Sequence, residues 1–69
     1  MLETTHGTRI KRQQGYTLTE YGCGDHPESI YYIKDRDGNV IGRNYIIPRK
    51  GHKDAIKWFA ETIDDITRS

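Results

Sequence analysis

Sixty-nine residues with a net charge of +1 form one small domain, 1–69, with no room for a second. A chain this short buries only about 60% of its unfolded surface, so each large apolar residue counts. The single cysteine, Cys23, excludes an internal disulfide, and no apolar run approaches the ~20 residues of a membrane span. With no signal-peptide core at the N-terminus, the expected compartment is cytoplasmic, without membrane association.

Residues 1–8, MLETTHGT, are polar and unpatterned and read as a flexible end. Arg9 to Arg12 either pair as a short edge strand or stay mobile. Gly15 punctuates the chain, and Tyr16 to Tyr21 follow as a strand by β-propensity and alternation. Tyr16 and Leu18 share one side of it; Thr17, Thr19 and Tyr21 share the other. Gly22 to Ser29 is a loop, with two glycines, Asp25, and a proline that keeps His26 out of the helical region.

The stretch from Ser29 to Ile66 carries the strongest signals. Asp37-Gly38 between two β-branched and aromatic runs predicts a hairpin closed by a two-residue type I′ turn. In that register Arg36 faces Asn39, Lys34 faces Ile41, Ile33 faces Gly42, Tyr32 faces Arg43 and Tyr31 faces Asn44. One face then holds Tyr31, Ile33, Val40, Gly42 and Ile46; it lacks Lys and Arg and is assigned to the core. The other holds Ile30, Tyr32, Lys34, Ile41, Arg43 and Tyr45. A slip of one residue would exchange the two faces.

After Pro48 the hydrophobic period lengthens to between three and four, predicting a helix from Gly51–Lys53 to about Thr67. Ile56, Phe59, Ala60, Ile63 and Ile66 form its apolar stripe. Trp58 lies about 120° from the stripe's centre, either capping the core edge or exposed. The predicted architecture is α+β, a three-stranded antiparallel sheet packed on one C-terminal helix, four-stranded if Arg9 to Arg12 pair.

The charges segregate along the chain. Residues 29–53 sum to +4, against −1 for 1–28 and −2 for 54–69. The basic excess therefore lies on the hairpin and the loop leaving it, which suits an anionic partner as well as a plain solvated surface.

No catalytic or metal constellation stands out. Cys23 and His26 have ligand spacing, but His6 and His52 are far off in sequence, so a second correctly spaced pair is missing. Nothing beside Cys23 supplies an orienting group for a nucleophile. Asp35 and Asp37 flank a turn, where Asp is expected for backbone reasons, and a calcium loop would need ligands that are missing. No enzyme activity, cofactor or metal is expected.

What remains is the sheet face the helix leaves uncovered. Tyr32, Lys34, Arg43 and Tyr45, with Arg36 at the turn and Arg49 and Lys50 beyond, interleave basic and aromatic side chains. Such a ribbon suits the DNA major groove or the bases of a single strand. Ordinary cross-strand packing on a solvated sheet is the bland alternative. A protein-binding surface is the rival, with tyrosines as interface anchors.

Three strands and a helix carrying Tyr31, Tyr32, Asp35, Gly38, Gly42, Ala55 and Ile56 resemble the arm-type DNA-binding domain at the N-terminus of phage tyrosine integrases. The likeness runs from about Tyr16 to Ile66. It implies an AP2-like sheet placed in the DNA major groove, with Tyr32, Lys34, Arg36, Arg43 and Tyr45 facing DNA. The net charge of +1 is low for a dedicated DNA binder. The expected function is a non-enzymatic DNA-binding accessory protein of a phage or mobile element. The alternative is a small inhibitor, for example an anti-defence factor, that blocks a host protein through the same face.

Overall fold

The computed structural model describes residues 7–22 and 25–68. Of the expected flexible end, residues 1–6 lie outside the described residues, as does Cys23. Thr8 already belongs to a strand.

Four strands pair in chain order as an antiparallel meander: β1 (Thr8–Gln13), β2 (Tyr16–Gly22), β3 (Ser29–Lys34) and β4 (Val40–Ile46). A helix, α1 (Lys53–Arg68), follows a single 3₁₀ turn at Lys50–His52. The α+β class is as expected, and Arg9 to Arg12 do pair, making the sheet four-stranded.

The two hairpins close by different chemistry. The two-residue turn with positive φ at both central residues lies at Gln14-Gly15, where φ is 55° and 85°. Its strands meet with Gln13 opposite Tyr16. At the expected site, Asp37-Gly38, only Gly38 is left-handed, with φ 87°. There the Asp35 carboxylate accepts from the N–H groups of Asp37 and Asn39, both at 2.9 Å, and Gly38 N–H donates to the Asp35 carbonyl at 3.1 Å. The Asp35 side chain thus stabilises a three-residue loop, Arg36–Gly38, in place of the type I′ turn.

That substitution changes the register near the turn and nowhere else. Ile33 faces Gly42, Tyr32 faces Arg43 and Tyr31 faces Asn44, as the two-residue turn also predicts. Lys34, however, faces Val40 instead of Ile41, because an irregularity beside Ile33 admits one extra residue into β4. Val40 consequently leaves the core face and is 52% exposed.

Leu18, Tyr31, Ile33, Ala55, Phe59 and Ile63 form the buried core, with Ile10, Tyr16, Ile46, Ile56 and Trp58 packed around it. The buried line on the helix is Ala55, Phe59 and Ile63, at steps of four. Ala60, one residue and about 100° past Phe59, falls outside that line and is exposed. Trp58 caps the core edge: a Cβ added to Gly42 would lie 3.4 Å from its ring. Gly42 thereby admits the indole against the sheet. On β1, Ile10 packs against the core, and the register shift between Arg9 and Lys11 returns Arg12 to the same face as Arg9.

No helix among the described residues is long and apolar enough to cross a membrane.

Candidate nucleic-acid interface

The helix covers one side of the sheet, and the strand register defines what the other side presents. Arg9, Thr19, Tyr32 and Arg43 form one row across all four strands. Arg12, Thr17, Lys34 and Val40 form the next, toward the hairpin loops. On the far side of the first row, Tyr21, Ile30 and Tyr45 face one another across three strands. Directly opposed residues of an antiparallel pair share a face, so these rows are a single surface. None of the rows contains Asp or Glu. Glu20 is a register partner of Tyr31, on the helix side.

The tyrosines on this surface are held in place. Tyr21 and Tyr32 meet edge to face, with ring centroids 5.1 Å apart and planes at 76°. Lys34 Nζ donates to the Tyr21 hydroxyl at 3.3 Å and stands 5.8 Å from the ring centroid. Gly7 lies against Thr19 and Tyr21, where an added Cβ would collide with both side chains. Tyr45 by contrast is 58% exposed, and Arg9, Arg12 and Arg43 are all exposed. A shallow depression of about 450 Å³ is lined by Tyr32, Val40, Ile41, Gly42 and Arg43.

Of the residues singled out in the sequence, Tyr32, Lys34, Arg43 and Tyr45 come together on this face. Arg36 does not join them as an outward charge. Its guanidinium donates from Nε and Nη2 to the Gln14 carbonyl, at 3.4 and 3.2 Å, and so ties the two hairpin loops together. Arg49 and Lys50 belong to the connection after β4. Arg49 Nε lies 3.3 Å from the carboxylate of Asp54 at the start of α1, and Lys50 opens the 3₁₀ turn. Arg9, Arg12 and Tyr21 are on the face and escaped the sequence reading. A strand register carried back through the Gln14-Gly15 turn would have found Arg12 opposite Thr17.

A second polar constellation lies on the helix side. The Tyr31 ring is buried, and its hydroxyl donates to Glu20 Oε2 at 3.2 Å and lies 3.0 Å from His52 Nδ1. Burial, followed by the Glu20 charge and the hydrogen bond to it, pushes the Tyr31 phenol up to about 12. His52 is positioned by a turn in which its N–H donates to the Arg49 carbonyl at 2.7 Å. Gly51 and His52 are both left-handed there, with φ 79° and 53°. The group fastens the start of α1 to the middle of the sheet. A phenol so reluctant to ionise is a poor base at neutral pH.

No group of three or more His, Cys, Asp or Glu is placed to hold a metal among the described residues. Of the spaced pair, His26 is exposed and Cys23 lies outside the described residues.

No protein-family model matches the chain, and neither does any curated protein or solved structure. The functional reading therefore rests on the chemistry of the surface.

Proposed function

We propose that this chain is a non-enzymatic DNA-binding accessory protein, of a phage or mobile element and acting in the cytoplasm, that engages its partner through the open sheet face. The observation that carries the reading is the composition of the register rows. Arg9, Arg12, Lys34 and Arg43 share the surface with Tyr21, Tyr32 and Tyr45, and no carboxylate interrupts them. Guanidinium and ammonium groups bind phosphate oxygens, while tyrosine faces offer sequence-tolerant contact to bases. The acidic residues Glu61, Asp64 and Asp65 lie on α1, on the opposite side of the sheet. The molecule is therefore polarised, which favours approach of a polyanion from one side.

Binding should weaken steeply with salt, because each phosphate contact releases a counterion. Replacing Arg12 and Lys34 together by alanine should flatten the plot of log K against log salt by roughly two, one per contact. Fluorescence anisotropy of labelled DNA at graded salt reads both effects. A salt-independent affinity, or a slope unmoved by the double variant, would count against this surface.

One observation favours a second reading. Val40, Ile41, Tyr45 and Ile47 are all more than 40% exposed along the outer edge strand and just beyond it. Apolar side chains on an unpaired edge are the material of a protein contact, and a host-protein inhibitor would use them. In that case DNA affinity is negligible, and Tyr45→Ala hurts partner binding more than any charge removal.

A further inference from the structure

We propose that the open face takes single-stranded nucleic acid in preference to duplex, a statement that rests on the nucleic-acid reading above. The sheet is wide. Neighbouring strands lie about 4.8 Å apart, so four of them span roughly 14 Å between outer backbones. The major groove is about 12 Å wide and admits a helix or a two-stranded ribbon. Without β1 the sheet would have three strands and span only about 10 Å. Here β1 is paired with β2 from Thr8 to Gln13, and its Arg9 and Arg12 stand on the same face as Tyr32. The surface that carries the charges is thus broader than the groove it would have to enter.

Its aromatic and basic groups are also placed for an unpaired strand. Tyr32 is the register partner of Arg43, and Tyr45 lies two residues along β4 from it. Tyr32 and Tyr45 are therefore diagonal cross-strand neighbours, about 7–8 Å apart at the backbone. Two successive unpaired bases of an extended strand can each reach a ring, a contact that paired bases inside a duplex do not offer. Tyr32 is already oriented by its edge contact with Tyr21, so ordering that ring adds little cost on binding. Arg9 and Arg12 at one margin and Arg43 at the other flank Tyr21 and Tyr32 on the middle strands, with Tyr45 beside Arg43 on β4, and put cations where a bound strand's phosphates would run.

The test is anisotropy with a labelled single strand of roughly 12 nucleotides, as DNA and as RNA, against the DNA duplex of the same sequence. The single strand should bind at least about 10-fold more tightly than the duplex. Tyr45→Ala should weaken single-strand binding by about 5- to 150-fold, the range for loss of one stacked base, while Tyr45→Phe retains it. Tyr45 is exposed, so neither change should disturb the fold. Duplex binding as tight as single-strand binding, or a Tyr45→Ala variant with undiminished single-strand affinity, overturns the single-strand proposal and leaves the DNA-binding reading standing. Binding to neither form overturns both.

Discussion

Phe59→Ala should cost about 3–5 kcal/mol and leave the domain unfolded or close to it. Phe59 is wholly buried at the centre of the Ala55–Phe59–Ile63 line and packs within the core that includes Leu18, Tyr31 and Ile33. Truncation removes most of a large apolar side chain and leaves a cavity that a small sheet and a single helix have little freedom to close. Typical stabilities of 0.05–0.15 kcal/mol per residue give a domain of this length only roughly 3–10 kcal/mol in total. Chemical denaturation monitored by far-ultraviolet circular dichroism reads the loss. A variant that stays folded with an unchanged melting temperature would show that α1 is not docked through this residue.

The second large effect is alkaline. The Tyr31 phenol is raised to about 12 in the folded protein, against about 10 in an unfolded chain. Its folded pKa is the higher of the two, so the native state holds the proton more tightly than the unfolded state does. The corresponding stability is present in full below pH 10 and is lost as the pH rises through 12. It amounts to roughly 2–3 kcal/mol at about 1.4 kcal/mol per pH unit. Of the five tyrosines in the chain, one should therefore ionise late and together with unfolding. Phenolate absorbance and circular dichroism followed over the same pH range test this. Tyr31→Phe should remove the late ionisation and its contribution to the alkaline transition. Ionisation of Tyr31 near pH 10, in a protein that remains folded, would contradict it.

The parts of the fold that sequence reveals are those fixed by local pattern. Alternation placed β2, β3 and β4, and the period after Pro48 placed α1. The absence of Lys and Arg marks the core face of the hairpin, and the pairing of Tyr31, Tyr32 and Ile33 matches that of a two-residue turn because the longer loop and the extra residue in β4 offset each other. What stays hidden are the places where one residue is added or one side chain decides a turn. The Asp35 carboxylate satisfies two backbone amides and so lengthens the Asp37-Gly38 loop, which moves Val40 out of the core. The register shift between Arg9 and Lys11 breaks the alternation that would have announced β1, and with it the contribution of Arg9 and Arg12 to the open face. Site residues chosen by charge and chain position fared unevenly for a related reason. Arg36 and Arg49 find acceptors, the Gln14 carbonyl and the Asp54 carboxylate, that only the folded chain brings near. The Tyr31 hydroxyl joins Glu20 and His52 across 11 and 21 residues, a separation no local motif encodes.

The proposed working surface is the open sheet face. Its most direct test is an anisotropy titration of labelled DNA, at one moderate salt concentration, with the variant carrying Tyr32→Ala, Lys34→Ala, Arg43→Ala and Tyr45→Ala. These four side chains lie on the side of the sheet away from α1, so the helical circular dichroism signal and a cooperative melt should persist. DNA binding should be lost, because the variant removes two cations and the two rings best placed to meet bases. A folded quadruple variant that binds DNA as tightly as the parent protein would place the working surface elsewhere on the molecule.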